Sequence, residues 1–113
     1  MGAIQVNGVG YEVTDEGYLR DFTKWSRGLA EYFAKEEGIS LNEHHWEVVN
    51  YLRFFYNEYK ISPMVKILMK EMDKKFGSEK ASRKYLYELF PHGPSLQGTR
   101  IAGLPKPLDC IDG

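Results

Sequence analysis

Apolar and polar residues alternate over 3–6 (Ala3-Ile4-Gln5-Val6) and again over 9–13 (Val9-Gly10-Tyr11-Glu12-Val13). Between them stands Asn7-Gly8, a pair that tolerates the positive φ of a type I′ turn, so the chain opens with a predicted β-hairpin. Beyond the turn-rich stretch at Asp15-Glu16-Gly17 the period lengthens to that of a helix. Thr23 can cap a first helix over 24–36, whose Trp25, Leu29, Tyr32 and Phe33 share a face before Gly38 stops it. Asn42 opens a second, with Trp46, Val49, Leu52, Phe55, Tyr56 and Tyr59 on one stripe. Ser62-Pro63 reads as a cap followed by proline at the first helical position, and Val65, Leu68, Met69, Met72 and Phe76 continue a third helix to Gly77. Ser82 can cap a fourth carrying Tyr85, Leu86, Leu89 and Phe90, ended by Pro91, and a short fifth over 95–102 is expected.

After Gly103 the run Leu104-Pro105-Lys106-Pro107 cannot be helical, because each proline lacks an amide hydrogen and biases its predecessor toward extended geometry. The expectation is therefore a mainly α fold with a small N-terminal hairpin. It is a helical bundle with a helix-turn-helix-like element in one domain over 1–103, followed by an extended, flexible C-terminal arm over 104–113. The arm carries the chain's one cysteine, Cys110. Seven extended steps separate it from Gly103, enough for the thiol to stand roughly 20–25 Å from the arm's root or to fold back along the body by a similar distance.

Composition narrows the classes. With 113 residues, 42% hydrophobic and 27% charged, the chain has globular proportions and no apolar run long enough to span a membrane as a helix. The amino terminus lacks both the basic head and the apolar run of a secretion signal, which predicts a cytoplasmic location. A single cysteine excludes an internal disulfide and any multi-cysteine metal centre, and no zinc spacing links His44, His45 and His92, so no metal site is expected. The net charge of −1 hides an uneven spread: residues 1–59 sum to −5, 60–84 to +5 and 85–113 to −1. The basic middle, with Lys66, Lys70 and Lys74 along one helix, leaves open a nucleic-acid-binding module as an alternative.

The stretches Glu37-Gly38-Ile39-Ser40-Leu41, His45-Trp46-Glu47-Val48-Val49, Tyr85-Leu86-Tyr87-Glu88-Leu89-Phe90-Pro91 with Gly93-Pro94, and Ile101-Ala102-Gly103-Leu104-Pro105-Lys106-Pro107 before Cys110 resemble the TusE/DsrC family of sulfur carriers. The resemblance implies a small helical protein whose C-terminal cysteine accepts sulfur as a persulfide and passes it on, a sulfurtransferase activity that requires no cofactor. DsrC-type members, partners of dissimilatory sulfite reductase, carry a second cysteine eleven residues earlier. That position is Thr99 here. The match therefore moves to the TusE branch and away from the alternative of a sulfite reductase γ-subunit-like partner. In that branch the donor is a TusBCD-like complex and the recipient a tRNA 2-thiouridylase (MnmA-like), for 2-thiolation of the wobble uridine. On this reading Cys110 is the sulfur acceptor, Gly103 the arm's hinge, Pro105 and Pro107 its stiffeners, and Arg100 and Lys106 guides toward acidic or nucleotide-bearing partners.

Overall fold

The computed structural model describes residues 2–107, and Cys110 lies outside them. Strands β1 (Gly2–Val6) and β2 (Val9–Val13) pair antiparallel with Val6 opposite Val9. Asn7 and Gly8 both take positive φ, 53° and 81°, as the type I′ turn requires. Five helices follow: α1 (Arg27–Glu36), α2 (Glu43–Tyr59), α3 (Val65–Phe76), α4 (Arg83–Leu89) and α5 (Pro94–Ile101). Single 3₁₀ turns at Phe22–Lys24 and Ser78–Lys80 precede α1 and α4. Among the described residues no helix is long and apolar enough to cross a membrane.

The elements follow the expected order, and the starts of α1 and α3 differ for identifiable reasons. Asp21, not the body of a helix, engages Thr23: its carboxylate accepts from the Thr23 amide at 3.0 Å and the hydroxyl at 2.6 Å, closing the 3₁₀ turn. The chain then extends through Trp25 (φ −64°, ψ 147°), and Ser26 caps α1 by accepting from the Leu29 amide at 3.2 Å. Trp25 is thus freed from the helix that its spacing suggested. Ser62 does not cap α3. The helix starts at Val65 with no side-chain cap, and the Ser62 hydroxyl turns instead to the Pro105 carbonyl at 2.7 Å. On α2 the buried stripe is His45, Val48, Val49, Tyr51, Leu52 and Phe55, while Tyr59 at the helix end is 60% exposed.

The short α5 lies at the centre. It packs against α1, α2, α3 and α4, and Pro94, Ser95, Gln97, Gly98, Thr99 and Ile101 are all buried. Gly98 permits the close approach to α2, since a methyl group there would meet Leu52 Cδ1 at 3.0 Å. Leu29, Phe33, Val48, Leu52, Leu68, Leu86 and Phe90 close the core around it. Fixing the arm that leaves α5 therefore amounts to fixing it to the most deeply packed element of the protein.

Candidate functional site

The expected chemistry lies beyond α5, so its C-terminal end sets the geometry. A helix leaves its last carbonyls without intrahelical partners, and here every one is satisfied. The Ala102 amide donates to Gly98 O at 2.9 Å, Gly103 to Arg100 O at 3.0 Å and Leu104 to Thr99 O at 3.1 Å. The last two bonds, with Gly103 at φ 71°, form a Schellman motif. The remaining carbonyls go to side chains far away in sequence. Trp25 Nε1–H donates to Ile101 O at 2.9 Å, and Arg53 Nη1 donates to Ala102 O at 2.7 Å. Arg53 Nη2 also reaches Phe22 O at 3.1 Å, and its guanidinium lies 4.2 Å from the centre of the Trp25 ring. The same ring covers Gly103 so closely that a Cβ there would sit 2.3 Å from Trp25 Cδ1.

The first four residues of the expected arm are packed on the body. Leu104 and Pro107 are buried, the Pro105 carbonyl is held by Ser62, and Lys106 pairs with Glu16. Gly103 terminates α5 in a left-handed conformation beneath the Trp25 indole.

Arg100 faces the fold. Its Nε donates to Gly17 O at 2.9 Å, Nη1 to Glu37 at 2.6 Å and Nη2 to Glu36 at 2.5 Å, so its charge is compensated within the chain. Gln97 Nε2 donates to the other Glu37 oxygen at 2.9 Å. Burial raises the Glu37 pKa, and the bonds from Gln97 and Arg100 together outweigh it and hold the carboxyl below its ordinary value. These residues line an open cleft of about 220 Å³ with Glu16, Tyr18, Leu96 and His92. The Tyr18 hydroxyl donates to Leu96 O at 3.1 Å, and burial pushes its pKa up to about 12, so it remains a neutral donor there. Sequence reasoning had no signal for Trp25 or Arg53, whose partners lie 76 and 49 residues away.

Thr99 is fully buried on α5, and its hydroxyl has no hydrogen-bond partner among the described residues. Those residues also contain no group of three or more His, Cys, Asp or Glu that could hold a metal ion. On the basic face, Lys80 pairs with Glu47 at 2.9 Å and Lys74 with Glu71 at 3.7 Å, while Lys66 and Lys70 are exposed.

A single globule ending in a cysteine-bearing tail, with one deeply packed helix anchoring that tail, defines a class, and comparison with known proteins identifies it. The family model described as "DsrC like protein" matches residues 5–111, so the chain belongs to the DsrC-like family. Within it, the chain is 54% identical over 96 residues to a protein of Pectobacterium atrosepticum named Sulfurtransferase TusE, covering 85% of this chain and 88% of that one. It is 53% identical over 100 residues to Sulfurtransferase TusE of Escherichia coli (strain K12), covering 88% and 92%. Among solved structures, the NMR structure of Allochromatium vinosum DsrC superposes with a TM-score of 0.88 at 47% identity, covering 96% of this chain and 97% of that chain. The oxidized γ-subunit of the dissimilatory sulfite reductase (DsrC) from Archaeoglobus fulgidus gives 0.83 at 34%, covering 97% and 100%.

Proposed function

We propose that this chain is a sulfur-relay protein that takes sulfur onto Cys110 from a TusBCD-like donor and delivers it to a tRNA 2-thiouridylase for wobble-uridine 2-thiolation. The Cys110 thiolate attacks the outer sulfur of a donor persulfide. The new S–S bond forms on Cys110 as the donor's S–S bond breaks, and the donor leaves as its own thiolate. The transferred sulfur keeps its oxidation level, so the exchange needs no external oxidant or reductant. A thiolate of the recipient enzyme repeats the same attack on the Cys110 persulfide and regenerates the free thiol.

The observation that carries this reading is the match to proteins named Sulfurtransferase TusE along nearly the whole chain, combined with a cysteine three residues beyond an anchored Pro107. With Pro107 packed, the chain between it and Cys110 is three residue steps, at most about 10 Å when fully extended. Thr99 supports the one-thiol chemistry of this branch, because the second thiol of DsrC-type members is replaced by a buried hydroxyl. In this account Pro105 and Pro107 limit the conformations lost on docking, and Gly103 sets a turn instead of swinging. Lys106, held beside Glu16, marks the side from which a partner meets the tip.

Reconstitution tests the assignment. With a cysteine desulfurase, the relay donor, the thiouridylase and tRNA, 2-thiouridine should accumulate with the wild-type chain and fall to the level without it for Cys110→Ser. Equal product from the two chains would contradict the proposal.

A further inference from the structure

We propose that Trp25 and Arg53 are positioning residues for sulfur transfer, gripping the end of α5 so that the chain leaves the body toward Cys110 in one direction. The inference rests on the carrier reading and adds two residues to it. At a helix end, carbonyls such as those of Ile101 and Ala102 lack intrahelical partners and must find them in water, side chains or the following turn. Here an indole N–H and a guanidinium are brought from elements far away in sequence to take them, at 2.9 and 2.7 Å. The two groups also stack on each other at 4.2 Å, and the Arg53 fork reaches Phe22 O at 3.1 Å, tying in the 3₁₀ turn.

Arg53 is half-buried, and among the described residues no carboxylate pairs with it: both its hydrogen bonds go to main-chain carbonyls. A cation at a helix C-terminus is favoured by the aligned carbonyls, and the rigid planar fork of arginine suits the holding of two backbone oxygens at a fixed angle. The indole lies so close over Gly103 that a side chain there would collide with it. Leu104 to Pro107 lie packed on the body, so loss of the grip acts by shifting that packed segment, and a shift of a few ångströms at Pro107 would be passed to the residues that follow it. In-line attack on a persulfide tolerates far less, since misplacement by about 1 Å can slow a reaction about a hundredfold.

The test uses the full chain as Trp25→Phe and Arg53→Lys, which keep ring and charge while removing the indole donor and the fork. Single-turnover loading of Cys110 is followed from two donors, the relay protein's persulfide and glutathione persulfide. The expected result is a tenfold or greater fall in the maximal rate from the protein donor, not recovered by raising its concentration, with loading from glutathione persulfide within twofold of wild type. Unchanged rates from both donors, or an equal loss with both, would overturn the proposal, the latter by showing that the two side chains only hold the fold.

A second readout does not depend on sulfur. With spin labels on Cys110 and on Glu31→Cys, at an exposed site on α1, the interlabel distance distribution should at least double in width in Arg53→Lys. An unchanged width would overturn the clamp. Failure of the wild-type chain to load from either donor would sink the carrier reading instead, leaving the clamp to be judged by the distance distribution.

Discussion

Gly103 shows how much one position can decide. A side chain there must adopt a left-handed backbone at φ 71° and place its first carbon 2.3 Å from Trp25 Cδ1. The left-handed conformation costs roughly 1–2 kcal/mol for an L-residue and overpacking about 1–3 more. Gly103→Ala should therefore lower the unfolding free energy by about 2–5 kcal/mol in urea denaturation, and a loss under about 0.5 kcal/mol would show that the indole gives way freely. A free hinge would tolerate alanine without such a loss of stability, so the same variant separates a hinge from a terminator. Arg100 carries a parallel lesson. A basic residue at the base of the arm suggests steering of partners, yet three hydrogen bonds to Gly17, Glu36 and Glu37 direct it inward. The sequence shows the charge but not which carboxylates meet it, because Glu36 and Glu37 lie more than 60 residues away.

At the scale of elements, what was legible is what is local. Asn7-Gly8 dictates its turn by φ alone, and Asn42 and Ser82 cap α2 and α4 by bonds to amides within three residues. Where two local candidates compete, the pattern misleads. Thr23 could have capped a helix, but Asp21 captures it and Ser26 takes over, which moves Trp25 from a helix face to the root of the arm. Ser62 likewise yields its cap role to a contact 43 residues distant.

His45 joins both scales. Its Nδ1 accepts the Asn42 amide of the α2 cap at 3.2 Å, so the proton sits on Nε2, which donates to Leu89 O at the end of α4 at 2.9 Å. Burial, the largest influence, lowers its pKa below the ordinary 6.5, with neighbouring His44 acting in the same direction and the Leu89 bond opposing it. Below pH 6.5 the unfolded chain thus binds a proton that the folded one refuses. Stability should be full above that pH and decline as pH falls from 6.5 toward the folded pKa, then level off. Denaturant unfolding from pH 8 to 5 should show this decline for wild type and lose it in His45→Gln, and identical pH profiles would show that another group is responsible.

On the scale of the whole molecule, the body serves to hold one short chain segment. α5 is buried against four other helices, its last carbonyls are all satisfied, and the residues following it to Pro107 are packed or tethered. The body holds the first four residues after Gly103 by burial of Leu104 and Pro107 and by the bond from Ser62 to the Pro105 carbonyl. That could not be read from the prolines, which report stiffness but not what the stiff segment rests on. The motifs that carry the family resemblance lie along this construction: the Leu89-Phe90-Pro91 and Gly93-Pro94 stretch that opens α5, and the Ala102-Gly103-Leu104-Pro105 stretch that closes it.

The most direct test of the central claim is intact-mass measurement of the chain after incubation with cysteine, a cysteine desulfurase and the relay donor, beside a Cys110→Ser control. The account predicts a gain of one sulfur atom on the wild-type chain, removed by a thiol reductant and absent from the control. No gain in the presence of an active donor, or the same gain on Cys110→Ser, would contradict it.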